Sequence, residues 1–284
     1  MKILVTGAKG QLGYDVVREL NKRNIEYCGV DIDDFDITDK DKSISFIENY
    51  KPNLVIHCAG YTLVDGAEDN RETCMEVNYV GTKNIVLGCK SIKSKLIYIS
   101  TDYIFDGKKK IPYEINDEPN PSNVYGLSKL LGENFIKEEL DNYFIIRASW
   151  MFGPSKNNFV ETMIKLASDN NTINVVDDQV GSPTYTADVA SLMIDIGLTD
   201  KYGTYHATNE GFCSWAEFAR EIMLQANLKC KINPINSDDY KAKALRPENS
   251  RLSKKSLLDN GFSLLPTWQD ALGRYLNRRR WGML

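Results

Sequence analysis

Met1-Lys2-Ile3-Leu4-Val5-Thr6-Gly7-Ala8-Lys9-Gly10-Gln11-Leu12-Gly13 opens the chain, and its reading decides the fold. Ile3–Thr6 is a short apolar run of the kind that suits a strand buried on both faces. Glycines follow at once, and Leu12, Val16, Val17 and Leu20 then recur at helical spacing. A strand that turns through glycines into a helix presents free N–H groups and a partial positive charge, which suits a phosphate. Gly7, Gly10 and Gly13 serve the tight turn, close approach of a pyrophosphate and close packing of helix on sheet. Asp31 follows the next apolar run, Tyr27–Val30, where a carboxylate can accept from a ribose 2′-hydroxyl. Together these features predict a dinucleotide site; a strand–helix turn with incidental glycines is the alternative. A carboxylate there repels a 2′-phosphate and favours NADH over NADPH, although Lys9 within the loop can offset the charge.

The same alternation continues outward. Leu54–His57, Leu96–Ser100 and Tyr143–Arg147 read as further buried strands. Between them Ile44, Ile47 and Tyr50, and then Val80, Ile85, Val86 and Cys89, keep helical spacing. The pattern predicts an α/β fold, a Rossmann-type doubly wound parallel sheet with helices on both faces. After Gly153-Pro154 the texture changes. Phe159–Ala167 and Ala187–Leu198 read as helices, Asn174–Asp177 as a short strand, and Leu272–Leu276 as the start of a basic terminal helix. The expected division is a dinucleotide-binding domain over 1–150, also recruiting about 172–202, with 151–284 mainly a smaller mixed α/β substrate domain.

The 284 residues are 42% hydrophobic and 26% charged, with Lys plus Arg 35 against Asp plus Glu 39 and a formal net charge of −4. That is globular composition without the basic excess that a nucleic acid or an anionic membrane attracts. No apolar run reaches the length of a membrane helix, and the first one is too short for a signal peptide. Cys28, Cys58, Cys74, Cys89, Cys213 and Cys230 show no paired spacing, so they read as reduced thiols of a cytoplasmic protein. His57 and His206 stand too far apart in sequence for a histidine metal site, and Asp177-Asp178 carries no chemistry.

Tyr125-Gly126-Leu127-Ser128-Lys129 places a phenol and an ammonium four residues apart on one helical face. Adjacent positive charge favours a phenolate, so a tyrosine so placed can give its proton to a carbonyl oxygen as hydride arrives. Thr101 ends the fourth strand, where such folds bind ligands, and can hydrogen-bond the same carbonyl. A strand-end cap and a structural Tyr-x-x-x-Lys are the plainer alternatives.

The glycine loop, Asp31, Thr101 and Tyr125/Lys129 together resemble the extended short-chain dehydrogenase/reductase superfamily. Thr62-Leu63-Val64-Asp65-Gly66-Ala67-Glu68, Ser100-Thr101-Asp102-Tyr103-Ile104-Phe105, Arg147-Ala148-Ser149-Trp150, Asn157-Asn158-Phe159 and Arg246-Pro247-Glu248-Asn249-Ser250-Arg251-Leu252 are similar to the dTDP-4-dehydrorhamnose reductase family within it. The resemblance implies hydride transfer from NADH or NADPH to the C4 ketone of a dTDP-sugar, with Thr101, Tyr125 and Lys129 catalytic. It implies Gly7, Gly10, Gln11, Leu12 and Gly13 at the pyrophosphate turn, Asp31, Asp36 and Ile37 at the adenosine end, and Ala59, Gly60, Tyr61 and Thr62 beside the nicotinamide, with Tyr125 and Lys129 also reaching the cofactor. Val64, Thr101, Asp102, Tyr103, Trp150, Asn158 and Arg246 fall to the substrate. An indole face suits a deoxysugar's C–H surface and a guanidinium a diphosphate. Asn78 is either a helix-ordering group near Lys129 or a structural amide. Tyr103 stands where a 4,6-dehydratase carries a carboxylate, which favours simple ketone reduction. Some family members dimerise around a magnesium ion held by glutamates; the matching positions here are Asp15, Ala187 and Arg278, so the expectation is no metal, and a monomer or a dimer not bridged by magnesium. Another sugar-nucleotide epimerase or reductase, and a non-catalytic dinucleotide-binding regulatory subunit, are the competing functions.

Overall fold

The computed structural model describes residues 1–154 and 158–280; Asn157, part of one motif match, lies outside them. In chain order the first half runs β1 (Ile3–Thr6), α1 (Gln11–Lys22), β2 (Tyr27–Val30), α2 (Lys40–Tyr50), β3 (Leu54–His57), α3 (Val64–Asp69) and α4 (Arg71–Met75). A π-helical turn (Glu76–Gly81) leads into α5 (Thr82–Ile92), followed by β4 (Lys95–Thr101), α6 (Val124–Glu139) and β5 (Tyr143–Ala148). The remainder comprises β6 (Met151–Phe152), α7 (Phe159–Asp169), β7 (Thr172–Val176), β8 (Val180–Gly181), β9 (Thr184–Tyr185), α8 (Thr186–Gly197) and β10 (Gly203–His206). Then come β11 (Cys213–Ser214), α9 (Trp215–Ala226), β12 (Lys231–Ile235), α10 (Lys255–Asp259) and α11 (Trp268–Arg280).

Six strands form one parallel sheet in the order β10-β5-β4-β3-β1-β2. Its inner strands are largely apolar because alternate side chains serve opposite cores. Ile3, Val5, Leu54, Ile56, Ile97 and Phe144 pack with α1 and α8 on one face. Leu4, Val55, Leu96, Tyr98 and Ile145 pack with Ile47, Ile85, Val86 and Ile136 on the other. The order reverses between β1 and β3, and at such a switch point the loops after the strands part to leave a crevice.

Two expectations need correction. Within the expected 172–202 segment α8 does pack on the large sheet, but β7 pairs with β12 in a separate two-stranded sheet, and the sixth strand is β10, just beyond that segment. The burial of β7 alternates, as suits a sheet covered on one face, whereas the Gly203-Thr204-Tyr205-His206 edge strand lacks the apolar run that marks a buried one. Helical spacing before β4 also conceals the π-turn at Glu76–Gly81, which carries Asn78 towards α6. A third core, built on Phe152, Val160, Ile173, Phe218, Trp268 and Tyr275, holds α7, α9 and α11 together. Below β5, Glu133 of α6 and Arg147, both buried, form a bidentate pair at 2.9 and 2.7 Å. This joins α6 to the sheet.

Candidate functional site

A cleft of about 730 Å³ opens at the carboxyl ends of β1, β2, β3 and β4. Gly7, Gly10, Gln11, Leu12, Gly13, Asp31, Asp36, Ile37, Ala59, Gly60, Tyr61, Thr62, Tyr125 and Lys129 all line it. Gly7 has φ +67°, and a Cβ on Gly13 would lie 2.0 Å from the Gly7 carbonyl oxygen. The loop therefore admits no side chain at either place and lets α1 start close to the sheet. Gly10 caps α1 without a side chain, so the helix's first N–H groups face the cleft with its positive dipole end. Asp31 accepts from the Lys9 backbone N–H at 2.8 Å and from the Ile32 N–H at 2.9 Å, which fixes its carboxylate while leaving lone pairs. The Lys9 ammonium sits on Asp33. Apolar wall residues absent from the sequence reading are Phe35, Val77, Ile99 and Met151, whose spacing in their own elements marks them only as core.

Tyr125 and Lys129 rise from the first turns of α6, whose Asn123 cap accepts from the Gly126 N–H at 2.7 Å. The Tyr125 phenol faces the Thr101 side chain, which favours its ionised form. Burial, and next the Asp102 carboxylate, push the Tyr125 phenol up from its ordinary value, and Thr101 opposes them. This reverses the expected direction. The Lys129 Nζ lies over the Tyr98 ring, 4.0 Å from its centre, and contributes no lowering to the Tyr125 phenol. Burial instead brings Lys129 itself down to about 7, partly offset by Glu133 one turn along α6. Asn78 accepts from the Tyr61 N–H at 2.7 Å and donates to the Tyr61 carbonyl at 3.0 Å and to Ser128 Oγ at 2.9 Å. It thus clamps the loop after β3 to α6. Burial raises the Cys58 thiol to about 12, which makes it an inert wall residue.

The seven residues expected at the substrate divide. Thr101 (5% exposed) and Asp102 (4% exposed) are adjacent, their side chains joined at 3.2 Å, and Asp102 also meets Ser250. Asp102 is buried behind Thr101, with its carboxyl raised to about 6 chiefly by desolvation. The Tyr103 ring meets Tyr125 edge-on, with centroids 5.9 Å apart. Val64 begins α3 and is half-buried. Trp150, at φ +48°, stacks on Trp215 with centroids 3.6 Å apart, so one indole face is already covered. Arg246 donates to both Asp65 oxygens at 3.0 and 2.8 Å; its guanidinium reaches any diphosphate only by sharing or leaving that carboxylate. Asn158 is corrected. It is 8% exposed, accepts from the Glu161 N–H at 3.0 Å as the cap of α7, and donates to Gly153 O and Tyr275 Oη. An Asn directly before a helix is a favoured cap, and that preference decides its place. Trp215 and Asp65 had no signal in the sequence reading as partners, because each meets a residue far away along the chain, Trp150 and Arg246.

The sequence profile of the family described as the RmlD substrate binding domain matches residues 1–280. The chain belongs to this family of dTDP-4-dehydrorhamnose reductases. It is 38% identical to the spore coat polysaccharide biosynthesis protein SpsK of Bacillus subtilis (strain 168), covering 98% of each chain. It is 38% identical to dTDP-4-dehydrorhamnose reductase of Aggregatibacter actinomycetemcomitans, covering 95% of this chain and 97% of that one. The crystal structure of dTDP-4-dehydrorhamnose reductase from Bacillus anthracis str. Ames in complex with NADP superposes with a TM-score of 0.95 at 40% identity, over 98% of this chain and 99% of that one.

In this chain the residues at the positions matched to a bridging magnesium do not fit a hard cation. Arg278 Nη1 donates to Asp15 Oδ1 at 2.7 Å and to the Tyr185 hydroxyl at 3.2 Å, while Thr186 Oγ1 donates to Asp15 Oδ2 at 2.6 Å. The single carboxylate is thereby neutralised by a guanidinium from α11, and Ala187 offers no side-chain oxygen.

Proposed function

We propose that this chain reduces the C4 ketone of dTDP-4-dehydro-L-rhamnose to dTDP-L-rhamnose, with Tyr125 as proton donor, Thr101 as the carbonyl's second hydrogen-bond partner and Lys129 as the site's cation. The reading is carried by one observation: Tyr125, which faces Thr101, and the buried Lys129 line the same cleft as the Gly7–Gly13 loop and Asp31. A nicotinamide dinucleotide held there supplies the hydride. The elevated phenol keeps its proton until the carbonyl oxygen gains charge. Thr101 orients that oxygen and favours the phenolate left behind, while the Lys129 ammonium keeps a positive charge in the cleft. The α1 N-terminus and the Gly7–Gly13 loop hold the pyrophosphate, and Asp31 holds the adenosine ribose. Tyr103 and Trp150 flank the sugar; Arg246, exchanging Asp65 for a diphosphate, holds the nucleotide end. Six unbridged thiols fit a reducing cytoplasm; among the described residues no helix is long and apolar enough to cross a membrane.

Cofactor choice turns on Lys9. With NADH its ammonium stays on Asp33; with NADPH it turns to the 2′-phosphate and offsets the repulsion from Asp31, so both cofactors are used and the carboxylates tilt the balance to NADH. The chain also assembles, if at all, without a bridging cation, because Arg278 occupies the cation's role at Asp15.

Loss of reduced-nicotinamide absorbance with dTDP-4-dehydro-L-rhamnose tests the activity. The parent turns over and Tyr125→Phe loses roughly 10²–10⁴ in kcat while still binding cofactor; survival of turnover within a few-fold in the variant contradicts the assignment. Lys9→Ala lowers kcat/KM for NADPH about tenfold, the size of one charge-assisted contact, and leaves NADH within about twofold; equal losses with both cofactors contradict the handover. Native mass spectrometry with and without a chelator gives one and the same oligomeric state, and a dimer that appears only with magnesium refutes the Arg278 argument.

A further inference from the structure

Tyr98 lies on β4, fully buried, and the sequence marks it only as one residue of an apolar strand. Its ring lies directly beneath the Lys129 ammonium, 4.0 Å from ring centre to Nζ. A quadrupole presents its negative face to a cation, and the attraction is strongest where water is excluded. Lys129 is 4% exposed. The ring is held in place from three sides. Its hydroxyl meets the Lys129 carbonyl at 3.4 Å and the Thr82 side chain. A Cβ on Gly132 would lie 2.6 Å from that hydroxyl, so α6 passes this ring only because it has glycine there. His57, the register partner of Tyr98 across β3 and β4, stacks on it with centroids 5.8 Å apart. Burial brings the His57 imidazole down to about 3, and its two ring nitrogens are occupied by Thr6 and Thr82 hydroxyls, so the layer behind the ring is neutral.

We propose that the face of the Tyr98 ring is the seat of the Lys129 ammonium: Tyr98 is a positioning residue that holds this charge in the cofactor cleft. The proposal rests on the reading of Lys129 as the cation of the reduction. The other ionisable groups facing Lys129 are Glu133 on α6, His57 on β3, Cys58 after β3, and Cys74 on α4. Glu133 is already paired with Arg147, His57 is neutral, and burial holds both thiols protonated. The ring face then stabilises the charged form at 4.0 Å without carrying a charge of its own. Taking that face away lowers the proton affinity of Lys129, so the ammonium is lost at lower pH and the high-pH fall in kcat moves to lower pH.

The test replaces Tyr98 by Phe and by mono-, di- and trifluorinated phenylalanines, which keep the ring's size while draining its face, with Tyr98→Leu as the ringless variant. Lys129 is titrated in the cofactor-free enzyme by NMR of ¹³Cε-labelled lysine, assigned through Lys129→Met, and the pH profile of kcat is recorded alongside. Tyr98→Phe titrates near the parent, and the midpoint falls stepwise with fluorination by about one pH unit in all, the size of a desolvated cation–π contact. Tyr98→Leu, where it folds, lies at the bottom of the series. A midpoint constant across the fluorinated series overturns the seat, as does a Tyr98→Phe midpoint already as low as the trifluorinated one. A midpoint that moves while the kcat profile stays fixed upholds the seat and overturns the catalytic reading of Lys129.

Discussion

A single buried positive charge organises the centre of this molecule. Lys129 carries an ammonium to a place that is 4% exposed, and a charge taken from water demands compensation from whatever surrounds it. The compensation comes from several elements at once. Glu133 lies one turn further along the same helix, itself held by Arg147; the Tyr98 ring lies beneath, and the His57–Thr6–Thr82 hydrogen bonds keep the next layer neutral. These contacts bind α6 to β3, β4 and β5, and that docking sets Tyr125 against Thr101. The placement of Tyr125, the proposed proton donor, is thus a consequence of how the sheet accommodates a lysine.

The nucleotide half was legible because its signals are local. The glycine loop, the strand ends and the Tyr125/Lys129 spacing each sit within a few residues, and the parallel sheet needs continuous apolar runs that stand out in any sequence. The residues expected around the dinucleotide all line one cleft for the same reason: loops leaving the same edge of a sheet must converge. The direction of the Tyr125 shift was not legible. Helical spacing says that phenol and ammonium share a face; it does not say that Tyr98 draws the ammonium away and that burial with Asp102 outweighs it.

The substrate side was harder, since its contacts join distant stretches. Arg246 meets Asp65, and Trp150 meets Trp215, pairings that no window along the chain contains. Asn158 shows the opposite failure. A motif match drew it to the substrate, while the strongest local preference of an asparagine before a helix placed it in a cap. Arg278 reads as wrong for a magnesium site from its charge alone, and the structure supplies the reason it is tolerated there: Asp15, itself held by Thr186, and Tyr185 receive it in a buried cluster tying α11 to α1.

Two hydroxyls sharing one carbonyl oxygen form the centre of the proposed chemistry. A crystal structure of the enzyme with nicotinamide dinucleotide and dTDP-L-rhamnose tests this most directly. The account predicts Tyr125 Oη and Thr101 Oγ1 both within about 2.6–3.2 Å of the sugar's C4 oxygen. A closed and occupied cleft in which the Tyr125 oxygen reaches neither the sugar nor the cofactor contradicts it.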